Sequence, residues 1–283
     1  STAPDMADLD ALREQLRGLD RVIVAFSGGA DSALLAWVAH DTLGPARARA
    51  ITAVSPSLAG FEAEDCASLA AEWGLRWSTV ATDEMANAAY RVNDADRCFH
   101  CKDELFTRIS DEVAERHHLT AVAYGENAEE ALRPDRPGSR AAANHRVLRP
   151  LADAGLDKAA VRRIARALGL PNAEKPAAPC LASRIPYGTP VTAGVLAQVE
   201  RAEEALREAG FAQCRVRHHG EVARIEVAVN ELPRMLDAAV REKIVRETKA
   251  AGYRYVTLDL QGYRMGSMNE KLEWGIRGQE SGK

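Results

Sequence analysis

No run of this sequence is long and apolar enough to span a membrane, and neither sign of charge dominates: 37 basic side chains stand against 41 acidic ones, a net charge of -4. The first absence argues against an integral membrane protein. The second removes any general reason to expect a nucleic-acid backbone as partner. The opening segment, Ser1 to Asp10, has neither the basic stretch nor the apolar core of a secretory leader, so cytoplasmic residence is the expectation. Cysteine is scarce as well. Five in a chain of 283 residues do not make a disulfide framework, and each must be judged by its own position. There is no internal repeat, no low-complexity tract and no legible Ser-His-Asp arrangement.

What is present alternates between two periods. Val22 to Phe26 reads as a buried strand, Asp31 to Thr42 as a helix, Ala50 to Val54 as a strand, Phe61 to Trp73 as a helix and Leu75 to Val80 as a strand. A helix from Lys102 to His117 and a strand from Thr120 to Tyr124 follow. Such alternation implies right-handed βαβ units, a parallel sheet, and ligands at the carboxyl ends of its strands. Between Leu170 and Pro190 the pattern breaks: Pro171, Pro176, Pro179, Pro186 and Pro190 punctuate a stretch too long for an ordinary turn. Beyond it come a helix (Thr192 to Ala209), strands (Gln213 to His218, Glu221 to Val229), a helix (Glu231 to Ala250) and a strand (Tyr253 to Leu260). The expected fold is α/β, with a parallel-sheet domain over 1–170, a linker and active-site loop over 171–190, and a smaller C-terminal α+β domain over 191–283.

The first strand runs straight into Ser27-Gly28-Gly29-Ala30-Asp31-Ser32 and then into a helix. A glycine turn between strand and helix lets backbone N–H groups approach an anion, and the helix dipole favours the same charge. A Walker loop would end in lysine followed by serine or threonine; here no lysine follows. Ser27 and Ser32 offer hydroxyls instead, and Asp31 is suited to Mg²⁺, which prefers oxygen ligands. Serine, glycine and aspartate also build ordinary capped turns. The flanking strand and helix favour phosphate, with pyrophosphate as a leaving group.

Cys98 and Cys101 form a C-x-x-C just before the helix that begins at Lys102, a spacing used for zinc, redox dithiols and iron–sulfur ligation. Cys180 stands alone in the proline-rich stretch. Cys66 and Cys214 read as packed thiols within a helix and a strand. Arg215 and Arg217, two apart on a strand, share a face; they suit an anionic ligand or simple pairing with Glu221 or Glu226. Arg184 follows Cys180 by four residues and is a candidate substrate contact. Lys102 and Lys175 are candidates to approach phosphates. Of His218 and His219, one can face the same side as the arginines, and His117 and His118 end a helix.

"SGGADS" resembles the PP-loop of the ATP pyrophosphatases, which split ATP between the α- and β-phosphates and adenylate a substrate. "RCFHCKDELF", "KPAAPCLASRIPYGTPVT", "RVRHHGEVARIEV" and "LDLQGYRMGSMNE" resemble the LarE family of ATP-dependent sulfur transferases, which make a nickel-pincer cofactor. The likeness covers nearly the whole chain. It implies ATP and Mg²⁺ held by Ser27, Gly28, Gly29, Asp31, Ser32, Lys102 and Asn127, and conversion of a carboxylate to a thiocarboxylate through an adenylate. The implied substrate is an anionic, carboxylated pyridinium mononucleotide bound by Arg184, Arg215, Arg217 and Arg264. Sulfur would come from a donor through a [4Fe-4S] cluster on Cys98, Cys101 and Cys180, or from Cys180 itself, left as dehydroalanine. The presence of all three cysteines favours the cluster. A homo-oligomer built through the C-terminal domain is also implied. The pattern departs at "YGENAEEALRPDRPG", where Glu126, Glu129 and Glu130 replace an expected threonine and two aspartates. A tRNA thiolase or an amidating ligase of the NAD or GMP synthetase type is the alternative, weakened by the acidic balance and the lack of an RNA-binding module.

Overall fold

The computed structural model describes residues 2–115, 120–134 and 136–270; the expected helix end at His117, the neighbouring His118 and the chain beyond 270 lie outside the described residues. The elements run α1 (Ala3–Arg17), β1 (Arg21–Ala25), α2 (Ala30–Leu43), β2 (Ala48–Val54), α3 (Gly60–Trp73), β3 (Trp77–Ala81), α4 (Ala88–Arg91), α5 (Arg97–Glu115), β4 (Thr120–Ala123), α6 (Ala128–Ala131), α7 (Pro137–Asn144), α8 (Pro150–Asp153), α9 (Lys158–Ala167), α10 (Ala193–Glu208), β5 (Cys214–His219), β6 (Val222–Val227), α11 (Ala238–Ala250) and β7 (Tyr255–Leu258). Two compact units result: residues up to Tyr90 with Ala95–Ala178, and Arg91–Asp94 with the chain from Pro179 onward. The division falls inside the proline-rich stretch.

The first unit is an α/β layer structure around a parallel sheet of order β3-β2-β1-β4. Alternation along the strands feeds two cores. Val22 and Val24 pack with α1, α2 and α9 through Leu12, Leu34, Val38 and Ile164; Ile23 and Ile51 pack with Leu105, Phe106 and Ile109 of α5 and Ala142 of α7. Helix α2 buries residues all around its circumference, Leu34, Leu35, Val38 and Ala39 among them, which explains its weak polar face. Chain order reverses between β1 and β4, so the segments leaving these two strands converge at a topological switch point.

The second unit is a three-stranded sheet, β5 antiparallel to β6 and β6 parallel to β7. His219 pairs with Val222 across a two-residue turn in which Gly220 takes a φ of 64°. Val216, Ile225, Phe211, Leu206 and Ile244 form its core beneath α10 and α11. The expected helix Glu231 to Ala250 is two elements. Pro233 sits in a 3-10 segment, Val229–Leu236, and Asp237 then restarts the chain as α11 by accepting the Val240 N–H at 3.0 Å. The chain segment ahead of the main body is tied in by Asn93, in the left-handed region at φ 59°, whose Nδ2 donates to the carbonyls of Pro186 and Thr189, each at 2.9 Å. Gly188 N–H returns a bond to the Asn93 carbonyl at 3.0 Å.

Leu34 has no exposed surface, whereas Leu132 is 84% exposed. Leu34→Ala is expected to lower unfolding free energy by about 2–5 kcal/mol, and Leu132→Ala by less than about 0.5 kcal/mol, in parallel denaturant titrations.

Candidate active site

The glycine loop closes on itself before it meets any ligand. Ser32 Oγ lies 2.9 Å from Ser27 Oγ and accepts the Ser27 N–H at 3.1 Å, which bends the chain from β1 into α2. Gly28 takes a φ of 79°, and a Cβ there would stand 3.1 Å from the buried Cys66 Sγ. Asn172 Nδ2 donates to the Gly28 carbonyl at 3.1 Å and to that of Gly29 at 3.4 Å, tying down both carbonyls of the loop. No side chain caps α2 at Gly29, so its first-turn N–H groups are left for an anion.

Asp31 projects from that first turn. Its Oδ2 accepts from Lys158 Nζ at 3.0 Å and from Asn127 Nδ2 at 3.4 Å, while Oδ1 is buried without a hydrogen-bond partner among the described residues. An orphaned carboxylate oxygen beside uncapped N–H groups fits a hard cation with phosphate oxygens. Asp157 caps α9 by accepting the Ala160 N–H at 2.7 Å and thereby fixes Lys158 as the first helical residue. Lys175 pairs with Glu62 at 3.2 Å. Asn127 caps α6 through Oδ1, which accepts from the Glu130 N–H at 3.0 Å, so its amide must turn Nδ2 toward Asp31. Lys102 lies on α5, its stem beside Gly138.

The acidic departure has a local logic. Glu126 is 1% exposed and is held by Ser139 and by Arg149 at 3.3 Å, with Arg136 at 3.6 Å. Burial, then the Glu126 charge, push the Tyr124 phenol upward in pKa. Glu130 completes the capping box with Asn127 and pairs with Arg136 at 3.1 Å, while Glu129 is exposed. Two of the three glutamates therefore order the segment.

The cysteines divide as their positions suggest. Cys66 and Cys214 are buried; burial raises the pKa of the first and pushes the second up to about 11. Cys98 is exposed and Cys101 partly so. Both lie within the first turns of α5, not ahead of it, because the helix begins at Arg97; their spacing sets them on one face. Cys180 precedes the 3-10 segment Leu181–Arg184 and is partly exposed. Within either unit, no group of three His, Cys, Asp or Glu side chains suited to a metal occurs among the described residues.

In the second unit the arginines have defined employments. Arg184 is buried against Glu203, with Nε 3.0 Å from Oε2 and Nη2 3.1 Å from Oε1, while Nη1 donates to the carbonyls of Pro179 at 2.8 Å and Cys180 at 3.0 Å. It holds the backbone at Cys180. Arg217 donates to the fully buried Glu226 at 3.0 Å, and its Nε is buried without a partner among the described residues. Arg264 is paired with Asp259 at 3.1 Å and with Glu270 at 3.0 Å, which raises its pKa. Arg215 differs. It lies over the Tyr263 ring at 5.2 Å and spends one donor on the Cys214 carbonyl, and burial, followed by the Arg184 charge, lowers its pKa. His218 turns to the core side, 2.8 Å from Tyr253 Oη, and burial lowers its pKa; His219 is exposed.

A family model described as NAD synthase matches residues 9–116. Across nearly its whole length the chain is 43% identical to an uncharacterized protein of Synechocystis, covering 93% of this chain and 97% of that protein. It is 37% identical to the pyridinium-3,5-bisthiocarboxylic acid mononucleotide synthase of Lactiplantibacillus plantarum, covering 91% and 92% respectively. An uncharacterized protein of Methanocaldococcus jannaschii is 26% identical over 89% of this chain and 94% of its own. The chain belongs to the LarE family of ATP-dependent sulfur transferases.

Within this LarE chain the structure joins Ser27, Gly28, Gly29, Asp31, Ser32 and Asn127 in one site. Lys158 and Asn172, absent from the sequence reading, belong to it through Asp31 and the loop carbonyls. An aspartate one residue ahead of Lys158 signals a helix start, but nothing local points that lysine at Asp31. Glu203, the partner that occupies Arg184, carried no signal beyond its place on an amphipathic helix.

Gly125 supplies the test of this convergence. A Cβ there would stand 2.7 Å from the Ser32 backbone nitrogen. Gly125→Ala is expected to destabilise the chain by about 1–3 kcal/mol and to weaken ATP binding more than tenfold, read by thermal melting and calorimetric titration.

Proposed function

We propose that this chain uses ATP to activate a carboxylate of an anionic pyridinium mononucleotide and then replaces an oxygen of that carboxylate by sulfur. The observation that carries the reading is Asp31 in the uncapped first turn of α2: its Oδ1 is buried with no hydrogen-bond partner among the described residues, while its Oδ2 accepts from Lys158. The substrate carboxylate attacks the α-phosphorus, the bond to the bridging oxygen of the β-phosphate breaks, and pyrophosphate leaves with the electron pair. The N–H groups of the glycine loop and of the first turn of α2 stabilise that departing charge. Lys158 and Lys175 supply the cations that the loop itself lacks, and Asp31 and the phosphates would hold Mg²⁺, which neutralises charge on the leaving group. A sulfur nucleophile then adds to the acyl carbon, and AMP departs with the carbon–oxygen bonding pair. The second domain is read as the substrate-binding part, where Arg215, a desolvated guanidinium with donors to spare, is best suited to the substrate anion. Arg217 and Arg264 frame it, and Arg184 positions Cys180.

For the sulfur, we infer a [4Fe-4S] cluster with Cys98, Cys101 and Cys180 as thiolate ligands; their partial or full exposure suits ligation better than the burial of Cys66 and Cys214. These three thiolates would hold the cluster, which when bound would supply sulfide-level sulfur from an external donor over repeated turnovers. The reading assigns the reaction to the cytoplasm, where ATP is available. It assigns self-association to the second unit, whose Leu236, Leu260 and Met265 are 79%, 82% and 64% exposed.

With a carboxylated pyridinium mononucleotide, the chain is expected to release AMP and pyrophosphate, and Asp31→Ala to slow this roughly 100-fold. Anion-exchange chromatography of the nucleotides checks both; ADP as product would remove the assignment. Anaerobically prepared protein is expected to be brown, with absorption lost in Cys98→Ser, Cys101→Ser and Cys180→Ser but kept in Cys66→Ser and Cys214→Ser. Iron-free protein that transfers sulfur once and shows dehydroalanine at position 180 by mass spectrometry would replace the cluster by consumption of Cys180.

A further inference from the structure

Strand alternation sends Ile23 of β1, Ile51 of β2 and Val80 of β3 to the sheet face covered by α5. Counting back in steps of two along the same rows, β1 begins with Arg21, β2 is entered by Arg47 and Arg49, and β3 by Arg76. Val22 is in register with Ala48 and Ala50 with Trp77, so Arg21 neighbours Arg47 and Arg49 neighbours Arg76 on adjacent strands, about 4.8 Å apart. Like charges set side by side across strands oppose folding. Here four guanidiniums share one edge.

They line a single cavity of about 250 Å³ with an aliphatic floor that includes Ile23 and Val113. Among the described residues only part of this charge is answered. Arg49 reaches Glu112 at 3.4 Å and Ser78 Oγ at 3.2 Å, and Arg47 donates to the backbone carbonyls of Leu19 and Asp20. Arg21 and Arg76 have no acidic partner among the described residues. The cavity is at the amino edge of the strands, whereas the glycine loop follows their carboxyl ends; β1, five residues long, puts roughly 17 Å between the two.

We propose that this cavity is a second anion site, built for a small phosphate-bearing ligand with two or more negative charges. Guanidinium forks match the oxygen faces of phosphate, and a single carboxylate would leave most of the charge unanswered. A concave site of this size admits a compact phosphate, whereas a nucleic-acid strand needs an open track. The inference is independent of the reaction at the glycine loop.

Calorimetric titration of the full chain with inorganic pyrophosphate, at 0.15 M salt and with EDTA to suppress metal-dependent binding at the loop, tests it. Binding is expected to persist in Lys158→Ala/Lys175→Ala and to weaken at least tenfold in Arg21→Gln/Arg76→Gln. Arg21→Lys/Arg76→Lys, which keeps the charge, is expected to fall between, and it decides the matter if the glutamine variant does not fold. Tungstate soaked into crystals is expected to give an anomalous peak among the four arginines. Unchanged pyrophosphate binding in the folded arginine variants, or binding that disappears with the lysines alone, overturns the proposal. Tight, salt-sensitive tRNA binding lost in the arginine variants, without pyrophosphate binding, also overturns it, in favour of a nucleic-acid surface.

Discussion

The approach of Gly125 to the first turn of α2 is the constraint on which the nucleotide loop depends. Because that residue has no side chain, the exit of β4 lies against the backbone of Asp31 and Ser32, and the next two residues, Glu126 and Asn127, fall into place around it. Asn127 then does two things with one amide: its oxygen starts α6 and its nitrogen reaches Asp31. The Asp31 carboxylate thus accepts a hydrogen bond from a residue 96 positions away. A parallel sheet that reverses its strand order at β1 and β4 delivers this juxtaposition without any special loop.

Much of the architecture was legible in the sequence because the parallel strands are short apolar runs followed by helices with apolar faces. The glycine loop was legible for a related reason: its residue types are demanded by a local turn. What was not legible is what distant segments contribute. Lys158 meets Asp31 across 127 positions and Asn172 meets Gly28 across 144, and each has an unremarkable local setting. Local reading also erred at Glu231 to Ala250, where continuous helical periodicity concealed the stop imposed by Pro233 and the fresh start at Asp237. At the C-x-x-C the helix began earlier than expected, since Arg97 rather than Lys102 opens α5. The arginines were found as a group, and Glu226 was foreseen as a partner and pairs with Arg217; Glu203, Asp259 and Glu270, which pair with Arg184 and Arg264, were not, because such pairing depends on how distant segments meet.

That register gives the second unit an unusual interior. Glu226 is fully buried among Arg217, Arg224 and Ser267, and Glu203 is buried against Arg184. Buried ion pairs of this kind contribute little net stability, since desolvation offsets most of the attraction, but breaking one partner is strongly destabilising. The arrangement therefore limits rotamers more than it strengthens the fold. Arg215 stands outside these pairs: it lies over the Tyr263 ring and spends one donor on the Cys214 carbonyl.

Asn93 connects this interior to the history of the chain. The residue leaves the ribosome long before its hydrogen-bonding partners, for the Ile185 carbonyl is separated from it by 92 positions. At typical rates of synthesis, about 5–20 residues per second, the amide waits on the order of ten seconds before the backbone it will bind exists. During that interval the parallel-sheet unit can fold while a short segment of the other unit still awaits its partners. The second unit is thus discontinuous in time as well as in sequence, and a fragment beginning at Pro179 would be born without the residue that fastens its first loop.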